Sequence, residues 1–200
     1  MQVSPSCSGG PGCGSEVVIF YENGPYSINE EDELVSNPNS WNSVATVMYI
    51  DQPIGTGFSS AEGEKYCTDG ECAVKDLVGF LTNFFSHFPE YKALPFYITG
   101  ESYAGHYIPP LAHVITTKHT DINLRGISIG NGIVDMGLQY QMFFELGILH
   151  GLIPQERLNE AINEQLLCVN DNPCAPLFSI LTKGMINHEY VLICKIQKTL

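Results

Sequence analysis

The hexapeptide Gly100-Glu101-Ser102-Tyr103-Ala104-Gly105 carries the clearest chemical signal in the sequence. It follows an apolar, strand-like segment and precedes a segment with the apolar spacing of a helix. A serine on a tight turn from strand to helix projects its hydroxyl off the end of a sheet, and crowding there requires very small residues two before and two after it. Gly100 and Ala104 meet that requirement. The pattern predicts a nucleophilic Ser102, although alone it also fits an ordinary turn serine.

Three segments around Ser102 have the character of buried strands. They are rich in β-branched and apolar residues and end at polar or glycine-rich loops, at residues 44–51, 95–100 and 124–129. Since helical patterns separate them, the alternation predicts an α/β fold with a mostly parallel sheet and crossover helices.

Two segments between these strands have apolar residues at helical spacing. The first covers residues 73–88 and is ended by Pro89. The second covers residues 104–118, where Pro109 and Pro110 are expected to confine the regular helix to the residues that follow them.

The charge balance excludes some partners. The 200 residues carry a formal net charge of -13 and only nine Lys plus Arg. Nucleic-acid binding requires a basic surface to neutralise phosphates, so we expect no nucleic-acid partner. No apolar run reaches the length of a membrane span, and residues 1–14 do not have the pattern of a signal peptide.

Seven cysteines are many for a reducing compartment. Two close pairs, Cys67 with Cys72 and Cys168 with Cys174, lie in polar stretches containing Asp, Asn and Pro, which favours disulfides that staple loops. The alternative is metal binding, but neither pair has CxxC spacing or a nearby histidine at ligand spacing. We therefore expect disulfides, and we expect no metal and no cofactor.

An ordered series of further motifs identifies a family. The segment Gly9-Gly10-Pro11-Gly12-Cys13-Gly14-Ser15 is followed by Glu22-Asn23-Gly24-Pro25, Trp41-Asn42 and Asp51-Gln52-Pro53-Ile54-Gly55-Thr56-Gly57-Phe58-Ser59. The hexapeptide with its extension His106-Tyr107-Ile108-Pro109 comes next, and then Ile129-Gly130-Asn131-Gly132. In this order and spacing, from about Gly9 to about Pro154, the sequence resembles the serine carboxypeptidases, which have the α/β-hydrolase fold.

The resemblance implies a role for several residues. Ser102 matches the nucleophile that forms the acyl-enzyme, and the backbone amides of Gly10 and Tyr103 match the oxyanion hole. Glu22 and Glu101 match a pair of carboxyl groups that recognise the free C-terminal carboxylate of the substrate. Two adjacent carboxyls cannot both ionise cheaply, so one keeps a proton and donates it to the substrate in a hydrogen bond.

Other interpretations of these positions remain. Glu22 also fits a solvated turn acid, and Gly9 and Gly10 fit a flexible segment. We interpret His106 as structural and Asp51 as a strand-end residue, not as the base and acid of a triad.

The sequence departs from the family pattern in three ways. None of His113, His119, His150 and His188, nor any downstream Asp, lies in a matching motif, so we expect the triad Asp and His to be missing and the 200-residue chain alone to be inactive. Ser8 replaces an Asn that helps to hold the substrate carboxylate in the family. We also expect the strands that precede Gly9 in the family to be absent.

Three functions follow from these observations. A carboxypeptidase acting on peptides or proteins with a free C-terminus is favoured, because Glu101 precedes Ser102. The alternatives are a serine carboxypeptidase-like acyltransferase, whose members tend to have Asp at that position, and a non-catalytic remnant. The family and the cysteines suggest the secretory pathway, a lysosome or vacuole, or the extracellular space.

Two regions are predicted. Residues 1–135 form an incomplete α/β-hydrolase core, and residues 136–200 begin a helical cap or insertion, with helical patterning over residues 138–166 and Cys168 and Cys174 as its staple.

Overall fold

A four-stranded parallel sheet carries the candidate site. The structure is a computed structural model that describes residues 2–4, 11–63, 66–67, 69–156 and 159. The sheet has the strand order β4-β1-β5-β6, and its strands are β1 (Gln2–Ser4), β4 (Val47–Tyr49), β5 (Phe96–Glu101) and β6 (Leu124–Gly130). All three neighbouring pairs are parallel, which confirms the predicted sheet.

Strand β1 corrects one expectation. The strands before Gly9 were expected to be absent, but Gln2–Ser4 pairs with both β4 and β5. Val3 lies level with Met48 of β4 and with Ile98 of β5, so β1 joins the two predicted strands. A three-residue strand is too short to show the alternation by which strands are recognised in a sequence.

Helix α2 (Gly70–His87) follows the prediction closely, but begins three residues earlier than Ala73. The Asp69 side chain accepts a hydrogen bond from the Cys72 amide at 2.8 Å and so caps the first turn. Its buried residues have helical spacing and form the core with β5 and the next helix. They are Ala73, Val74, Leu77, Leu81 and Phe85.

Helix α3 (Ala104–Lys118) shows that the expectation for Pro109 and Pro110 was wrong. Both prolines lie inside one continuous helix, and both are exposed. An interior proline costs about 3 kcal/mol, whereas a buried large apolar side chain contributes about 1.5–3 kcal/mol. The opposite face of α3 buries Tyr107, Ile108, Leu111 and Ile115 against β5, β6 and α2, which offsets the cost of the prolines.

Smaller elements lie between the strands of the sheet along the chain. They are helix α1 (Glu16–Tyr21), the antiparallel hairpin of β2 (Tyr26–Ile28) and β3 (Leu34–Ser36), and 3-10 turns at Trp41–Ser43 and Pro89–Tyr91. Neither α1 nor this hairpin was predicted from the sequence.

The chain divides between Val134 and Asp135 into two units. In the second, helix α4 (Met136–Leu149) begins at Asp135, whose side chain accepts a hydrogen bond from the Leu138 amide at 2.9 Å. Most of the remaining residues of the predicted 138–166 helical region lie outside the described part, as do Cys168 and Cys174. The assignment of residues 136–200 to a cap therefore stays a prediction.

The predicted disulfide between Cys67 and Cys72 is confirmed. Sulfurs bonded to each other are not the thiolates that a metal would require. In the part of the chain that the structure describes, no helix is long and apolar enough to cross a membrane.

Candidate active site

Ser102 lies on the turn between β5 and α3, as the sequence predicts. Its backbone is in the left-handed region, with a φ of 56°. The Ser102 amide donates to the Gly130 carbonyl at 3.0 Å, and the Ser102 carbonyl accepts from the Ile133 amide at 2.9 Å. A strained conformation persists only where the surroundings determine it, and these two bonds to the end of β6 and the loop after it do so.

The first residues of α3, just after the turn at Ser102, are closely packed. Ala104 is completely buried. A Cβ at Gly105 would lie 2.6 Å from the carbonyl carbon of Ile133 and 2.8 Å from its amide nitrogen. Small residues are predicted from the sequence at positions 100 and 104, and the structure adds Gly105 as a residue that must be small.

Tyr103 follows Ser102 and precedes the first helical residue. Its ring packs edge-on against His106, with the ring centroids 4.6 Å apart, and against Tyr107 at 5.1 Å. The packing fixes the residue whose amide we predict to be one half of the oxyanion hole. Gly10, the predicted other half, lies outside the described residues, as does Ser8.

Glu22 lies at the end of helix α1, in a turn of residues 22–24 that is held from several sides. The Asn37 side chain donates to the Gly24 carbonyl at 2.9 Å, and the Trp41 amide donates to the Asn23 carbonyl at 3.0 Å. The Tyr49 hydroxyl donates to Asn23 Oδ1 at 2.8 Å. These bonds connect the turn to the loop after β3 and to the last residue of β4.

The negative charge of Glu22 acts on Glu101. Burial raises the pKa of Glu101 above the ordinary glutamate range, and the negative charge of Glu22 raises it further. Burial and then Glu22 also raise the pKa of Tyr49. Glu22 is exposed, whereas Glu101 is partly buried. Glu101 is therefore a carboxyl that we expect to keep its proton above the ordinary glutamate range.

Asp51 links the end of β4 to two loops. Its Oδ1 accepts a hydrogen bond from the Ser15 amide at 2.6 Å, and its Oδ2 accepts one from the Phe58 amide at 2.8 Å. Gly57 has a φ of 52°, and a Cβ there would lie 2.5 Å from the Asp51 carboxyl carbon. The Asp51 side chain thus holds Ser15, the last residue of the glycine-rich segment 9–15. The interpretation of Asp51 as a strand-end residue did not predict this contact.

A serine in a left-handed turn between a parallel strand and a buried helix is the nucleophile arrangement of α/β-hydrolases. The family profile described as "Serine carboxypeptidase" matches residues 7–190. The chain belongs to the serine carboxypeptidase family, and its fold is a partial α/β-hydrolase fold.

Individual relatives agree with the family match. The chain is 46% identical over 157 residues to "Serine carboxypeptidase S10 family member 1" of Dictyostelium discoideum, covering 76% of this chain and 38% of that protein. It is 38% identical over 188 residues to "Carboxypeptidase Y homolog A" of Pyrenophora tritici-repentis, covering 94% of this chain and 33% of that protein.

A solved structure has a similar backbone fold over the matched part. The crystal structure of Kex1(delta)p, a prohormone-processing carboxypeptidase from Saccharomyces cerevisiae, superposes with a TM-score of 0.72 at 28% identity. The match covers 92% of this chain and 43% of that chain. The chain spans less than half of the length of each of these three proteins.

Proposed function

We propose that the protein acts as a serine-type carboxypeptidase and that Ser102 attacks the last peptide bond of its substrate. The observation that carries the proposal is the position of Glu101, whose pKa burial and Glu22 raise, directly before Ser102 in its left-handed turn. The nucleophile and a proton-holding carboxyl are thereby adjacent.

The chemistry follows from these positions. The Ser102 hydroxyl oxygen bonds to the scissile carbonyl carbon, and its proton passes to a general base. The carbonyl oxygen becomes negative and is stabilised by the amides of Tyr103 and Gly10. Collapse breaks the peptide bond and releases the C-terminal amino acid, which takes up the proton. Water then hydrolyses the acyl-enzyme and restores Ser102.

Glu22 and Glu101 restrict the reaction to chain ends. A protonated Glu101 donates a hydrogen bond to the terminal carboxylate of the substrate, whereas an ionised pair repels it. A hydrogen bond to a charged group is worth about 1.5–3 kcal/mol, or about tenfold to a hundredfold in affinity. A peptide whose C-terminus is an amide lacks that negative charge, so the Glu22/Glu101 pair increases its affinity less.

We assign the general base of this mechanism to none of the histidines in the 200 residues. Because we interpret His106 as structural, and because none of His113, His119, His150 and His188 lies in a matching motif, we propose that the 200-residue chain alone does not turn over peptides. The disulfide between Cys67 and Cys72 supports an oxidising compartment, in the secretory pathway, a lysosome or vacuole, or outside the cell.

The test of carboxylate recognition is a pair of matched ligands. An N-blocked dipeptide with a free carboxylate and the same dipeptide as its C-terminal amide are titrated into the 200-residue chain at acidic pH by calorimetry. The proposal predicts at least about tenfold tighter binding of the acid. Equal affinities would contradict it.

The test of the nucleophile is labelling by a fluorophosphonate probe, with Ser102→Ala as the control. The proposal predicts strong labelling at Ser102 in a longer form that includes the base, and weak labelling in the 200-residue chain. Strong labelling of the 200-residue chain at Ser102 would show that a base is already present.

A further inference from the structure

The turn that carries Glu22 is fixed to the protein by two kinds of hydrogen bond. The bonds from Asn37 and Trp41 reach backbone carbonyls of residues 24 and 23 and define the shape of the turn. The bond from Tyr49 reaches the Asn23 side chain, across 26 residues of sequence. The Tyr49 bond connects the turn directly to the sheet.

Tyr49 and Glu101 lie at the same edge of that sheet. Tyr49 is the last residue of β4, and Glu101 is the last residue of β5. Both strands run parallel to β1, where Val3 places Met48 and Ile98 at the same level. Since the carboxyl ends of parallel strands share one edge, the bond from Tyr49 fixes the turn with respect to the edge where Glu101 lies.

The electrostatics agree with this placement. The charge of Glu22 raises the pKa of Tyr49 as well as that of Glu101, in each case after the larger effect of burial. Glu22 therefore acts on both strand ends, as expected for a side chain next to the residue that Tyr49 holds.

We propose that Tyr49 is a positioning residue for the Glu22/Glu101 pair, because its hydrogen bond to Asn23 holds the 22–24 turn against the edge of the sheet where β5 ends. The inference rests on the function proposed above. Tyr49 acts through Asn23 and makes no contact with the substrate in this mechanism.

The test is Tyr49→Phe, which removes the hydroxyl and keeps the ring. The matched control is Tyr97→Phe, which removes a hydroxyl from a tyrosine that is 45% exposed near the start of β5. The first readout is the titration of the Glu101 carboxyl carbon by NMR. With the turn released, the Glu101 pKa should fall towards the ordinary glutamate range in Tyr49→Phe and stay unchanged in the control.

The second readout is the affinity for the N-blocked dipeptide acid. Loss of one hydrogen bond that positions Glu22 should weaken binding about fivefold. In an Asn23→Ala background, Tyr49→Phe should have no further effect, because the two residues act through the same bond. Circular dichroism of each variant confirms that the fold is retained.

The outcomes separate this inference from the function on which it rests. If the parent chain prefers the acid but Tyr49→Phe changes neither the Glu101 titration nor the affinity, Tyr49 has no positioning role. An additive effect of Tyr49→Phe in the Asn23→Ala background also overturns the inference. If the parent chain binds acid and amide equally, the proposed function fails, and the role of Tyr49 fails with it.

Discussion

The charge of Glu22 raises the pKa of Glu101, although the two residues are far apart in sequence and belong to different elements. Burial of Glu101 has the larger effect, and Glu22 adds to it. Both causes favour the protonated carboxyl. A carboxyl group with a raised pKa therefore lies at the end of β5, directly before Ser102.

Replacement of Glu22 by Gln should lower two pKa values together. The pKa of Glu101 and that of Tyr49 should both fall, because each loses a negative neighbour, and both should stay above their ordinary values, because burial remains. NMR titration of the Glu101 carboxyl carbon and of the Tyr49 ring carbon that bears the hydroxyl measures the two shifts.

Glu90→Gln is the matched control for that experiment, since Glu90 lies in the 3-10 turn that precedes β5. It should leave both pKa values unchanged. If neither pKa falls in the Glu22→Gln variant, Glu22 does not act on the two strand ends.

The stability of the protein should also depend on the Glu101 proton. The folded state holds this proton more tightly than the unfolded chain, so its contribution is complete below the ordinary glutamate pKa and is lost as pH rises through the raised pKa. Glu101→Gln removes the titration. The free energy of unfolding of Glu101→Gln relative to the parent should therefore rise with pH across this window and be level on either side. Urea denaturation at a series of pH values measures it, and a difference that falls with pH would reverse the sign of the pKa shift.

The close approach of α3 to the loop after β6 predicts a large difference between two glycines. Gly105→Ala should lower the free energy of unfolding by about 1–3 kcal/mol, because its Cβ would meet the Ile133 backbone. Gly79→Ala in helix α2 has open space around its Cβ and should raise stability by up to about 1 kcal/mol. Thermal denaturation of both variants compares them, and equal effects would argue against the tight contact.

The left-handed backbone of Ser102 predicts that the site is not optimised for stability. Ser102→Gly should be more stable than Ser102→Ala by about 1 kcal/mol, because glycine adopts a positive φ without strain. At an ordinary negative φ the order is reversed, since glycine is the more flexible residue in the unfolded chain. Chemical denaturation of the two variants gives the order directly, and a more stable alanine variant would show that Ser102 is not in this conformation.

The turn at Ser102 could be predicted because its determinants are local. A strand, small residues and a helical pattern lie within a few positions of Ser102. Helix α2 could be predicted for a similar reason, because the apolar residues that define it lie within one short segment. Strand β1 could not be predicted, because its place depends on pairing with Val47–Tyr49 and Phe96–Glu101 and not on its own three residues.

The support of the site was missed for a related reason. The bonds from Tyr49 to Asn23 and from Ser15 to Asp51 join residues 26 and 36 positions apart, and spacing in a sequence does not show which distant polar groups meet. The helix through Pro109 and Pro110 was missed because burial of the opposite face outweighs the local preference of proline.

The affinity of the N-blocked dipeptide acid as a function of pH tests whether the protonated Glu101 binds the substrate carboxylate. Its own carboxylate stays ionised above about pH 5, so a change above that pH comes from the protein. The account predicts that binding weakens as pH rises through the raised pKa of Glu101, that the amide shows no such trend, and that Glu101→Gln removes it. An affinity for the acid that does not change with pH, or that changes equally for the amide, would contradict the account.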